Sequence, residues 1–161
     1  MGIICEFAEE CTVRRARLDG ATEYPKRKGE LAELIFVVKA ASFGLPVSKP
    51  YGDSLAYDFV VQSGDGRMLR VQVKSSFTSR RWGYMINLGA RGHAFGRCFY
   101  TADDIDFVVA YVVTEDAWYV IPVEAIAGRK QIRLYPAGRG KKSGGYFETY
   151  REAWHLIAGE R

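Results

Sequence analysis

Histidine and cysteine are scarce in this chain of 161 residues, and the few present form no useful pattern. His93 and His155 have no serine or cysteine elbow nearby, which argues against a nucleophile–base hydrolase. Cys5, Cys11 and Cys98 are odd in number and lack metal-ligand spacing, so they read as free thiols of a reducing cytoplasm. No apolar run reaches the length of a membrane span, and the opening MGIICEFAEE has acids where a signal peptide carries positive charge. Glu6 occupies the place where a myristoylation signal wants Ser or Thr. There is no internal repeat and no low-complexity linker. A phosphate-cradling P-loop is also missing, because GARGHAFGR at 89–97 opens no helix. These absences leave a soluble, cytoplasmic protein of one domain as the expectation.

What is present supports a folded core. Apolar residues make up 48% of the chain and aromatics 14%, enough to bury roughly two-thirds of the unfolded surface at this length. Net charge is +4, from 23 basic and 19 acidic residues, which permits an anionic partner. The bases are clumped: Arg14, Arg15 and Arg17; Lys26, Arg27 and Lys28; Arg80 and Arg81; Arg139, Lys141 and Lys142. Such clumps either meet phosphates or form solvated surface. Two glycine-rich basic loops, at 89–97 and 137–145, can approach a phosphate backbone or simply lie exposed.

Along the chain, residues 1–24 read as irregular with one short helix ending near Asp19-Gly20. KGELAELIFVVKAASF, from Lys28 to Phe43, reads as a helix with a buried stripe of Leu31, Leu34, Ile35 and Val38, and Gly44 as its stop. Glu33 lies off that stripe yet interrupts a second apolar flank of Phe36, Val37 and Ala40, while Glu30 reads as an exposed first-turn acid. Strands are predicted at 46–49, 56–62, 68–75, 82–88, 106–113, 117–121 and 130–135. A closing helix over Tyr146–Ala158 would bury Phe147, Tyr150, Trp154 and Ile157 or Leu156. The pattern is a mixed α/β domain, a central sheet flanked by helices.

LAYDFVV (55–61) and LRVQVKS (69–75) hold polar groups inside strand-like runs, and SGDGR between them is a turn signal. A three-residue loop Gly64-Asp65-Gly66, with Gly66 left-handed, makes facing residue numbers sum to 130 and sets Asp58 opposite Gln72. Asp58, Arg70, Gln72 and Lys74 then share one face, and Phe59, Val61, Val71 and Val73 the other. That polar face is either wet or a site. Directly opposed side chains, about 4.5–5.5 Å apart at Cβ, would let Asp58 and Gln72 offer oxygens to one ion such as Mg²⁺.

In order and spacing, KGELAE (28–33), PYGDSLAYDFVV (50–61), GRMLRVQVKSS (66–76), YTADDIDFVVAYV (100–112) and AWYVIPVEAI (117–126) resemble the PD-(D/E)XK nuclease superfamily. They are similar in particular to its branch of group I intron-encoded homing endonucleases. The resemblance implies a restriction-endonuclease-like αβββ core over residues 26–126, preceded by an extension (1–25) and followed by a C-terminal strand and helix (127–161). It implies Glu33 as the helix acid, Asp58 as the metal-binding aspartate, Gln72 at the (D/E) position and Lys74 as the motif lysine. Tyr57 replaces the usual proline, and Gln72 is the neutral variant of the second carboxylate. The implied activity is Mg²⁺-dependent (or Mn²⁺-dependent) hydrolysis of double-stranded DNA. Asp58, Gln72, the Val73 carbonyl and Glu33 would hold the metal, and Lys74 would position the water or offset charge. Lys28, Arg80, Arg81, Arg91 and Arg97 are the expected DNA contacts, and a homodimer or higher homo-oligomer the expected assembly. The alternative is a DNA-binding module that keeps the scaffold without turnover.

Overall fold

The computed structural model describes residues 24–52, 54–79, 83–89, 99–136, 138 and 145–159. Expectations for the N-terminal extension, the three cysteines, His93 and the basic groups at 14–17, 80–81 and 139–142 lie outside them.

Helix α1 spans Pro25–Ser42, three residues earlier than predicted, with Pro25 in the first turn where its missing N–H costs nothing. It ends as expected: Gly44 is left-handed at φ 70° and donates its N–H to the Ala41 carbonyl at 2.9 Å. The early start moves Glu30 out of the first turn, which holds no acid. The buried face also differs from the predicted stripe. Ala32, Phe36 and Ala40 are the buried residues, whereas Leu34 and Val38 are 66% and 68% exposed. Small alanines one turn either side let the helix approach the sheet, and Phe36 fills the gap between them. Its ring lies 5.2 Å from Phe59 and 6.2 Å from Trp154.

All seven predicted strands form: β1 (Val47–Ser48), β2 (Phe59–Gln62), β3 (Met68–Ser76), β4 (Tyr84–Asn87), β5 (Phe107–Val112), β6 (Ala117–Pro122) and β7 (Gln131–Leu134). Five make one mixed sheet, in the order β1-β2-β3-β5-β6, with only the β3–β5 pair parallel. Strands β4 and β7 form a separate antiparallel pair. The β2–β3 register is the predicted one, Phe59 facing Val71 and Val60 facing Arg70. Gly66 adopts φ 86°, and Ser63 and Arg67 close the loop with an N–H to carbonyl bond of 2.9 Å.

Alternation divides the sheet into two faces. Val71, Val73, Val109, Trp118 and Val120 pack against α1 and Trp154. Val108, Ala110, Tyr119 and Ile121 pack on the opposite side with Ile86, Leu134 and Tyr84 of the small sheet. Gln72 and Lys74 therefore belong to a face covered elsewhere by the small sheet.

The predicted closing helix is broken. A 3-10 turn at Glu148–Tyr150 is followed by extended backbone, and helix α2 covers only His155–Ala158. Glu152, at a left-handed φ of 49°, interrupts it and serves the outer sheet edge instead. Its N–H donates to the Trp118 carbonyl at 2.8 Å, and its carboxylate accepts from the Trp118 N–H at 2.9 Å and Trp154 Nε1 at 3.0 Å. Phe147, Trp154 and Ile157 are buried as expected, with Ile157 rather than Leu156 the fully enclosed one.

Candidate active site

Asp58 stands immediately before β2, where its own N–H continues the ladder to the Val71 carbonyl at 2.9 Å. Its side chain turns onto the polar face opposite Gln72. Oδ2 accepts the Val73 N–H at 2.8 Å and a hydrogen bond from the Gln72 amide. Burial pushes the Asp58 carboxyl up to about 6; the Val73 N–H opposes that shift, Glu33 adds to it, and Lys74 and Lys49 pull back.

Gln72 is 7% exposed, and Nε2 also lies 3.3 Å from the Val73 carbonyl. Its amide oxygen has no donor among the described residues. Oxygen and nitrogen of a side-chain amide exchange by one rotation, so the position now donating to Asp58 can equally present an acceptor. Lys74 is half-buried, with Nζ 5.8 Å from the centre of the Tyr100 ring. Glu33 reaches the same region from α1 but is tied at 2.6 Å to Lys49, which follows β1. That carboxylate, together with those of Asp58 and Glu30, raises the Lys49 pKa, the direct bond to Glu33 being the largest cause.

Glu33, Asp58, Gln72 and Lys74 all line one open cleft of about 900 Å³, between the start of α1, the polar face of β3 and the end of β4. Lys28 lines it too, its ammonium 5.2 Å from the Phe77 ring centre. Arg80, Arg81, Arg91 and Arg97 lie outside the described residues. Arg70, on the same strand face, is committed elsewhere: it pairs with Asp106 at 3.0 Å and donates to the Ala102 carbonyl at 2.7 Å. Two residues that line the cleft, Lys26 and Tyr100, and the partner of Glu33, Lys49, escaped sequence reasoning. Lys26 was visible only as part of a basic clump. Lys49 had no signal at all, since only the packing of β1 beside α1 brings it to Glu33. Tyr100 lay within a resembling stretch but carried no motif role.

The donor set suits a hard, oxygen-preferring cation. Asp58, a rotatable Gln72 amide and the Val73 carbonyl are oxygen donors, and a buried amide oxygen without a donor among the described residues is a group that a cation would satisfy. Among the described residues no cluster of three or more His, Cys, Asp or Glu exists, so a thiolate–imidazole site of the zinc kind is not formed by them.

The family model for PD-(D/E)XK endonucleases matches residues 24–157. No curated protein matches the chain. Among solved structures it is similar to a bacterial homing endonuclease, I-Ssp6803I, at 36% identity and a TM-score of 0.69, over 83% of this chain and 93% of that one. The mixed α/β fold and the resemblance to the homing-endonuclease branch are thus both borne out. Matched across most of its length by the family model, and similar in sequence and fold to a homing endonuclease, the chain belongs to the PD-(D/E)XK endonuclease family.

Proposed function

We propose that the chain is a divalent-metal-dependent endonuclease that hydrolyses phosphodiester bonds in double-stranded DNA. The observation that carries this reading is the meeting of Asp58, Gln72, Lys74 and Glu33 in one open cleft. Asp58, the Gln72 amide oxygen and the Val73 carbonyl would hold Mg²⁺ or Mn²⁺, with Glu33 acting directly or through water. Bound there, the ion would polarise the scissile phosphate and lower the pKa of a water. Lys74 orients the attacking water or balances charge gathering on the phosphate oxygens. The Lys49 ammonium pairs with Glu33 and offsets part of the negative charge that Glu33 brings to Asp58.

The first turn of α1 supports an anionic substrate. It holds Lys26, Arg27 and Lys28 and no acid, at the end of the helix where the dipole is already positive. Cations gathered at that end are favoured when a phosphate lies against them. Cutting both strands of a duplex would need two such clefts, which a homodimer or higher homo-oligomer supplies. Light scattering tests that assembly, and a monomer would limit the chain to one strand per encounter.

The function is tested by conversion of supercoiled plasmid in Mg²⁺, with EDTA as control, by wild type, Asp58→Ala and Lys74→Ala. Wild type should cleave, and each variant should be slower by about 100-fold or more. Equal cleavage by all three would defeat the reading. Gln72 favours one other outcome: a neutral ligand in place of a carboxylate lowers the charge available to the ion. Salt-sensitive DNA binding by wild type, without cleavage in Mg²⁺ or Mn²⁺, would make this a binding module on a nuclease scaffold.

A further inference from the structure

Tyr100 is 6% exposed, yet its hydroxyl has no hydrogen-bond partner among the described residues. Buried hydroxyls are ordinarily paired, and those of Tyr84, Tyr111 and Tyr119 in this fold all are, to Glu115, Asp116 and Glu148. The exception lines the cleft that holds Asp58 and Lys74.

Its placement is rigid. Thr101, the next residue, bonds through N–H and Oγ1 to one oxygen of Asp104, at 2.9 and 2.8 Å. The Arg70 guanidinium clamps the same turn to β3 through the Ala102 carbonyl and Asp106. The Tyr100 ring lies under the Lys74 ammonium, so the two side chains are fixed relative to each other. The Tyr100 ring thus sits beside the motif lysine in the lining of the cleft, and its hydroxyl, without an acceptor among the described residues, is a donor that a phosphate entering the cleft can use.

We propose that the Tyr100 hydroxyl donates a hydrogen bond to a non-bridging oxygen of the substrate phosphate in the cleft, making Tyr100 a catalytic residue alongside Lys74. The inference rests on the endonuclease reading of that cleft. Burial, reinforced by Asp58 and Asp104, pushes the phenol up to about 12, so it keeps its proton and acts as a donor rather than a base.

Tyr100→Phe is the test, because it removes the hydroxyl and keeps the ring under Lys74. If the residue only supports packing, losing a hydroxyl that has no partner among the described residues leaves cleavage and duplex affinity intact. The proposal expects single-turnover cleavage at saturating duplex to fall on the order of 100-fold. It also expects duplex affinity in Ca²⁺ to weaken about fivefold, the worth of one net hydrogen bond, with an unchanged or higher melting midpoint. Cleavage within twofold of wild type overturns it, as does a slower rate accompanied by a lowered melting midpoint. Asp58→Ala, run in parallel, separates the claims: an inactive Asp58→Ala beside a fully active Tyr100→Phe sinks this inference alone. Should wild type not cleave, the binding measurement decides, and an unchanged affinity of Tyr100→Phe overturns the contact.

Discussion

Asp58 shows at the scale of one residue how a site departs from a core. Its carboxylate sits where burial disfavours charge, and it is raised to about 6 despite the Val73 N–H. Between the ordinary carboxylate range and that value, the folded chain binds a proton that the unfolded chain does not. Stability from this group is therefore present at low pH and lost as pH rises through about 6. With divalent ions chelated, lowering the pH from 7 to 5 should add about 1 kcal/mol to wild type relative to Asp58→Asn. Urea titrations at the two pH values check this, and parallel pH responses of the two proteins would contradict the burial of the charge. A metal ion reverses the preference, because it binds the carboxylate and not the acid. If Asp58 is the metal ligand proposed, the carboxylate whose burial weakens the fold at neutral pH would be the group that an ion stabilises. Sequence reading located Asp58 and Gln72 because a turn signal and strict alternation leave one consistent register. It could not show that Glu33 is shared with Lys49, since no local pattern reports a contact between α1 and the end of β1.

At the scale of elements, the strands and the extent of α1 were legible, but the face that α1 buries and the break in the closing segment were not, for a definite reason. Each strand is a short apolar run bounded by turn residues, and period-two alternation assigns its faces. Residues 31–41 of α1 are apolar except for Glu33 and Lys39, so several stripes satisfy helical spacing equally well. The choice is made by the sheet, which accepts the Ala32–Phe36–Ala40 ridge because alanine allows close approach. Phe36→Ala should therefore cost about 3–5 kcal/mol in chemical denaturation. Leu34→Ala, on the stripe the spacing favoured, should cost under about 1 kcal/mol at its exposed position. Equal costs would mean that the helix presents its other face. The closing segment was misread because its apolar residues keep helical spacing while Glu152 is recruited by the N–H of Trp118 on β6. That is a tertiary demand invisible in the segment itself. Its effect is to cover the outer sheet edge with Arg151 and Glu152, which shields β6 from pairing with another chain.

At the scale of the molecule, two apolar layers lie on opposite faces of one sheet, and the cleft opens where α1 and the small sheet diverge along β3. The rim beside α1 is positive, with Lys26 and Lys28 lining it, in a chain of net charge +4. Duplex binding should weaken steeply with salt, and Lys26→Ala or Lys28→Ala should each lower the slope of log affinity against log salt by about 1. Fluorescence anisotropy over a salt series measures this, and an unchanged slope in both variants would move the DNA path elsewhere. The fold thus gathers Asp58, Gln72 and Val73 of one hairpin in a cleft whose rim carries Lys26 and Lys28. Whether the oxygens of that hairpin hold a divalent ion is read out by anomalous diffraction from a crystal soaked in Mn²⁺. A peak is expected in contact with the Asp58 carboxylate, the Gln72 side chain and the Val73 carbonyl; a fully soaked crystal with no peak there, or with ions bound only elsewhere, would show that these oxygens are not the metal site.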